Sequence, residues 1–498
     1  MKLENTSCDI EDEEQSAFRL PVLKKLLLHR LVADRLASFL VSLSGIFVVL
    51  TICAIVFVIT AEIIPLFMPP RVTMAESLAV GGENKAKPSS IVAVGVDDYQ
   101  EVVYIIRAEG LIEFFSLESG EPLESVRIPG TDLLAHPVHV LGSGPEYFIV
   151  LDDGSIFSAV ISFTLDYSGG SRAIVPQVDF GQPAKFPDAA GVRPSIAAAG
   201  KTENGAVYAL PVGDNEIFLL RRMEKKSLLG TPKVTVVERR IELALKSPVT
   251  KLLLNRTGDL LFAGSAAGEL AVINILSEDP QSAITRTNIG DQSVTLLGLL
   301  LADQTLIVGN AAGEIRSFFV KRDYTTGGAL LIAHHAFREH RAVPKYFARS
   351  ERNRSFITAD ESGLVHLHYG TSCETLLSFS APSGLAALSL AAKADGILAL
   401  SGDGRLVRWN LENYHPEATL HTLFGKVWYE GRDRPEYVWQ STGATDEFES
   451  KLSLVPLIFG TLKGTCYALL FAVPVAVLGA LYVSQFMDPA LRSYIKPA

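Results

Sequence analysis

The 498-residue chain holds only four cysteines, three tryptophans and five methionines. The cysteines are scattered: Cys8 in the N-terminal tail, Cys53 and Cys466 inside apolar runs, and Cys373 alone in the long central region. One cysteine cannot close a disulfide within that region, so a packed core must stabilise it even in an oxidising compartment. There is no C-x-x-C pair and no Cys/His spacing suited to zinc. A phosphate-cradling G-x-x-x-x-G-K-[ST] motif is also missing, so ATP hydrolysis does not reside here. Positive charge is not in excess. With 45 Lys and Arg against 55 Asp and Glu, the net charge of −10 argues against nucleic acid as a partner.

What stands out instead is two long runs without charge, residues 37–61 and 464–487. They raise the hydrophobic share to 48% and the mean hydropathy to +0.26. At ~1.5 Å per residue each run can cross the ~30 Å core of a bilayer. The composition between them is that of a soluble domain. The expected organisation is a cytoplasmic tail over 1–35, a first transmembrane helix over 36–68 and an external domain over 69–415. An interfacial linker over 416–462, a second transmembrane helix over 463–487 and a short, truncated cytoplasmic end over 488–498 follow. Arg19, Lys24, Lys25, Arg30 and Arg35 precede the first run, and only Arg71 follows it closely. Positive-inside bias therefore puts the N-terminus in the cytoplasm, and Arg492 and Lys496 agree for the other end. The large domain then faces outward, into the periplasm of a Gram-negative cell, with the chain multi-pass in the inner membrane. A cleavable signal peptide does not fit, because the apolar run is long and Pro69-Pro70 is not a small-residue cleavage site. Asp9, Glu11, Asp12, Glu13 and Glu14 read as a solvated, disordered tail.

The central region repeats. Residues 252–275, 299–320, 346–370 and 388–411 each read strand, turn, strand, tight glycine turn, strand, with turn glycines at Gly268, Gly313, Gly363 and Gly404. Weaker copies surround Gly110, Gly154 and Asp214-Asn215. The glycines supply the positive φ that two-residue hairpins need, and the Val/Ile/Leu/Phe runs suit strands covered on both faces. A period of about 40–50 residues with several strands per unit predicts β-propeller blades, about seven of them. The expected fold class is thus a membrane-anchored all-β protein, a propeller between two transmembrane α-helices. The repeats are similar to those of WD-repeat and quinoprotein-like propellers, with Trp409-Asn410 at the place of the WD dipeptide.

Candidate chemistry in the propeller is sparse. His334, His335, His340, His366 and His368 fall there, and His366 and His368 alternate along one strand. They read as edge or surface histidines, because a metal pair needs a third ligand. Asp97-Asp98, Asp152-Asp153 and Asp403 read as turn formers. No catalytic, cofactor-binding or metal-ligating residue is assigned, and no cofactor is expected. Residues 422–450 break the blade pattern and hold Trp428, Tyr429, Tyr437 and Trp439 among Lys426, Arg432 and Arg434. This composition suits a membrane-interface element, with a linker packed on the propeller as the alternative. Pro456 and Gly460 are expected to bend 452–462 into a separate interfacial helix, leaving Lys463 to snorkel at the outer interface.

The stretch 453–497 resembles the start of the permease core of phosphate-specific ABC importers, the C-type permease of the Pst system. The residues that carry the likeness are Pro456-Leu457, Gly460-Thr461-Leu462, Ala472-Val473-Pro474, Tyr482, Ser484, Phe486, Arg492 and Lys496-Pro497. Residues 424–456 resemble long-form variants with a large insert after the first span, which makes the propeller that insert. The resemblance implies a MetI-like permease core beginning in the second span, of which this sequence carries the N-terminal portion. It implies a permease component of an importer for inorganic phosphate rather than an enzyme, with ATP hydrolysis in a separate subunit. Implied partners are a second permease subunit, a cytoplasmic ATPase dimer, a periplasmic phosphate-binding protein and the lipid bilayer. The alternative is a membrane-anchored periplasmic propeller that acts as scaffold or ligand sensor without transport.

Overall fold

The structure is a computed structural model. It describes residues 9–80, 91–131, 139–141, 145–151, 154–168, 170, 172–186, 196–202, 204–225, 233–277, 279–281, 283–323, 327–445, 447–488 and 491. The chain divides into two units, Met1–Met68 and Pro69–Ala498. In the first, helix α1 runs Asp9–Ile63 and passes into a 3₁₀ turn over Ile64–Phe67. It contains an apolar stretch, Ser38–Leu66, long enough to cross a bilayer and unburied throughout. The acidic residues 9–14, expected in a disordered tail, instead begin the helix. No glycine separates them from the span before Gly45, and the intervening Leu, Lys and Arg are good helix formers.

The second unit is built on a seven-bladed β-propeller. Its blades span residues 91–127, 139–185, 198–242, 249–288, 294–336, 344–380 and 385–412, each an antiparallel sheet of consecutive strands. Only three strands of the seventh blade come from 385–412. Its outer strand is Arg71–Ala79, pairing with Arg405–Glu412 from the opposite end of the domain. This pairing closes the ring. The first strands of neighbouring blades lie against one another around the axis. The expected turn glycines are in place, with φ of 75°, 95°, 88° and 87° at Gly268, Gly313, Gly363 and Gly404.

Strand periodicity explains how the ring is held. The second strands Leu260–Ser265, Thr305–Asn310, Ser355–Asp360 and Gly396–Ser401 are buried at every position. Successive side chains point to opposite faces, so each strand serves two neighbours. In the fourth blade Leu261 and Ala263 join the core shared with the third. Leu260 and Phe262 join the core shared with the fifth. Among the described residues there are accordingly seven interblade cores, one at each junction, and no single central one.

After Glu412 the chain forms a short helix α2, Leu420–Phe424, capped by a reciprocal Thr419–Thr422 hydrogen-bond pair. An extended segment follows and returns through a two-strand pairing of Trp439–Gln440 with Lys451–Leu452. Helix α3 then runs Val455–Gln485 without interruption, about 46 Å at 1.5 Å per residue. The expected separate interfacial helix is therefore absent, and α3 starts earlier than residue 463. Pro456 sits in its first turn, where a missing N–H costs nothing. Gly460 continues the helix, flanked by the Thr461 hydroxyl donating to the Leu457 carbonyl at 2.9 Å. No residue of α3 is buried. Of the C-terminal residues singled out from sequence, Arg492, Lys496 and Pro497 lie outside the described residues.

Candidate functional site

Two groups of buried polar side chains lie in the fifth and sixth blades and in the linker beneath them. The first corrects the expectation for three of the histidines, while His334 and His335 lie partly exposed on the outer strand of the fifth blade as expected. His366 and His368 are 1% and 0% exposed rather than at an edge or surface, and His340 is 5% exposed. The third strand of the sixth blade, Leu364–Tyr369, is an inner strand of its sheet, covered on both faces. His368 stacks on Phe356 with ring centroids 4.8 Å apart, in the junction with Phe337 of the fifth blade. Its Nε2 lies 3.0 Å from Thr358 Oγ1, which lies 2.8 Å from His340 Nε2. His368 Nδ1 meets Thr375 Oγ1 at 3.0 Å, and His340 Nδ1 faces Asp360 Oδ2 at 3.4 Å.

One proton arrangement fits the hydrogen bonds of this chain. Burial lowers the pKa of both His340 and His368, so both are neutral at pH 7. Burial pushes the Asp360 carboxyl up, but hydrogen bonds from the Ser362 hydroxyl and the Leu364 N–H outweigh it and hold it low. An ionised Asp360 3.4 Å from His340 Nδ1 favours the proton on that nitrogen, so His340 Nε2 accepts from the Thr358 hydroxyl. Thr358 in turn accepts from His368 Nε2–H, and His368 Nδ1 accepts from Thr375. His366 is separate, with Nδ1 2.7 Å from Ser378 Oγ and a pKa lowered to about 4, first by burial and then by the nearby His340. Among the described residues no group of three His, Cys, Asp or Glu side chains is arranged to hold a metal. The arrangement ties the strands of one blade to each other.

The turn aspartates behave as expected where described. Asp97 accepts from the N–H groups of Tyr99, Glu101 and Val102, each at 2.7 Å. Asp403 accepts from the Ser401 hydroxyl and the Arg405 N–H. Asp152 and Asp153 lie outside the described residues.

The second polar group joins the linker to the propeller. The two ends of the segment, 427–430 and 447–450, pack on the domain, while 431–445 are mostly exposed. Tyr429 is 1% exposed and Trp428 packs edge-on against Phe319 and His334. Phe424, Tyr437 and Trp439 stay well exposed. The contacts fall on one face of the propeller, that of the turns between first and second strands and after third strands. Arg354, just before the second strand of the sixth blade, pairs with Glu430 at 2.7 Å and donates to the Glu447 carbonyl at 2.9 Å. Thr305 donates to Glu430 at 2.6 Å, and Thr371 donates to Glu449 at 2.6 Å. The Glu430 N–H donates to the other Glu449 oxygen at 2.9 Å. At the rim Lys321 pairs with Asp433 at 2.6 Å and Arg256 pairs with Glu447.

Burial, with the neighbouring Glu430 carboxylate second, pushes the Glu449 carboxyl up to about 7. Beside the cluster opens a cavity of about 670 Å³, lined by Arg352, Arg354, Tyr369, Glu417 and Glu449 among others. The linker also fixes the start of α3. Leu454, its N-cap, donates to the Leu423 carbonyl at 2.8 Å, and Ser453 donates to Val438 at 3.1 Å. Arg71 pairs with Glu412, so the chain joins and leaves the propeller on this same face. None of Arg354, Thr371, Glu430 or Glu449 carries a sequence signal of its own. The only hint is two carboxylates set in an aromatic-rich segment.

The molecule is therefore a seven-bladed propeller flanked by two helices apolar and long enough to cross a bilayer. No family model and no curated protein matches the chain. Among solved structures it is similar to the β-propeller domain of Cps50 (Swd1) from Myceliophteria thermophila. The identity is 14% over 68% of this chain and 99% of that one, with a TM-score of 0.47.

Proposed function

We propose that this chain is a permease component of an ABC importer for inorganic phosphate in a bacterial inner membrane, with its propeller on the periplasmic side. The observation that supports this reading is the ordered run of permease-like residues on α3, from Pro456-Leu457 through Ala472-Val473-Pro474 to Tyr482 and Ser484. They lie along a single helix with no side chain buried against the rest of the chain. Such a helix requires lipid or neighbouring helices around its full circumference. Gly464, Ala468, Ala472, Ala476 and Gly479 suit close helix approach, and Pro474 is tolerated where neighbours satisfy the freed backbone carbonyl. In this reading a second permease subunit packs on α3, an ATPase dimer drives transport from the cytoplasm, and the propeller meets a phosphate-binding protein.

The test is uptake of radiolabelled phosphate in a host whose other phosphate importers are deleted. Disrupting the native gene is expected to abolish uptake, and restoring it to recover uptake. Unchanged uptake on disruption would overturn the proposal and favour the scaffold or sensor alternative.

A further inference from the structure

The linker cluster contains more carboxylate than it can hold ionised. Glu449 is 8% exposed, and the side chains of Glu430 and Arg354 are 5% and 4% exposed. Glu430 and Glu449 meet through the Glu430 N–H, and the one cation buried with them among the described residues is Arg354, committed to Glu430. Lys451 is close, but its ammonium bonds the Glu449 main-chain carbonyl at 3.3 Å and lies over the Phe448 ring. The other groups facing Glu449 add no positive charge. Burial pushes the Tyr369 hydroxyl up and the Cys373 thiol up to about 12, while Glu417 and Glu447 are acids on the same side. Two buried carboxylates against one guanidinium leave a net negative charge in a water-poor site, which one proton cancels. The 2.6 Å contact with Thr371 can hold that proton, since the hydroxyl accepts from a protonated carboxyl as readily as it donates to an ionised one.

We propose that this cluster is a proton-controlled latch between the propeller and the second span: with a proton on the Glu430/Glu449 pair, residues 426–454 are locked to the fifth and sixth blades and hold the start of α3, and loss of the proton releases them. The lock acts on α3 because Leu454 and Ser453 are hydrogen-bonded into the linker. The sign follows from the carboxyl. A group more readily protonated when docked than when free favours docking at low pH, and that contribution is lost as pH rises from its free value through its docked value. Docking therefore weakens as the compartment goes from acidic to neutral pH, independently of what the protein transports.

The experiment is amide hydrogen exchange of the full chain in lipid nanodiscs from pH 5.5 to 9, corrected for the intrinsic rate. Exchange at 447–454 is expected to rise at least 10-fold across neutral pH, while strands 355–360 and 396–401 do not change. Glu449→Gln mimics the protonated acid and is expected to stay docked at every pH, with the rise gone. Glu449→Asp, which restores a titrating acid, is expected to restore a rise. No rise in the native chain, or the same rise in Glu449→Gln, would overturn the latch. The blade strands serve as the folding control in each variant.

Discussion

The junction of the third and fourth blades and the junction of the fifth and sixth are built on the same strand geometry but filled differently. The first is filled by a large apolar cluster, with sixteen buried hydrophobic residues such as Val207, Ile217, Leu261 and Ile273 among those described. The second has six, and the space beside them is taken by His368, with Thr358 and His340 behind it. The first needs only side chains of the right size, because dispersion and burial are non-directional. The second needs partners at fixed distances, because each unmatched polar atom there costs the desolvation it is not repaid for. The polar junction is also the one on which the linker rests, through Arg354 and Thr371. The ring is thus uniform where it only closes and specialised where it carries the connection to α3.

Truncating the apolar side should do the most damage. Phe262 is 0% exposed and packs between the fourth and fifth blades. Phe262→Ala is expected to cost about 3–5 kcal/mol, read as a lower midpoint in chemical denaturation with the whole ring unfolding together. On the polar side, Arg354→Met leaves Glu430 and Glu449 buried without their cation. A loss of about 3 kcal/mol is expected, confined to the dock. Limited proteolysis should then cut within 426–454 while the blades resist. If Arg354→Met instead lowers the denaturation midpoint of the ring as Phe262→Ala does, the two regions are not separable and the comparison fails.

How far the sequence revealed these regions follows the same division. The blades were legible because their signals are local and repeated. Gly268, Gly313, Gly363 and Gly404 mark tight turns, and short continuous apolar runs mark strands whatever the partner. The closing strand Arg71–Ala79 was not recognised, since nothing in RVTMAESLA names its mate more than 300 residues away. Histidines 366 and 368 misled because polarity reads as exposure until their partners are known. Thr375 is close in sequence, but Thr358 and His340 belong to other strands and loops. For the linker, sequence composition could not separate aromatics that face lipid from aromatics that pack on a propeller. Arg354 and Glu430 find each other across 76 positions.

The histidine chain can be tested by pH. In the folded state burial lowers the pKa of His340 and His368, so the unfolded chain binds protons that the folded chain refuses. Stability contributed by these groups is present above the unfolded value of about 6.5 and is lost as pH falls below it. Each such histidine steepens the loss by up to about 1.4 kcal/mol per pH unit. His368→Phe keeps the stack on Phe356 and removes one titrating group. A cost of about 1–2 kcal/mol at pH 7 is expected from the lost bonds to Thr358 and Thr375. Denaturation midpoints at pH 7, 6 and 5 should show a shallower decline than in the native chain. An equally steep decline would mean that the acid sensitivity resides elsewhere.

The smallest effect is expected at α2, where the linker leaves the seventh blade. Thr419 caps the helix, accepting from the Thr422 N–H at 3.1 Å while its own N–H donates to Thr422 Oγ1 at 2.8 Å. A helix of five residues cannot hold itself, so its order comes from this pair and from the Leu454 N–H donating to the Leu423 carbonyl. Thr419→Ala is expected to cost about 1 kcal/mol, a local loss that leaves the denaturation midpoint of the ring in place. It should appear as faster amide exchange at 420–425 and, through Leu423, at the first turn of α3. Exchange that quickens at α2 but not at residue 454 would show that the start of the span is held by Ser453 and the charged dock alone. The polar region would then divide into two independent attachments rather than one.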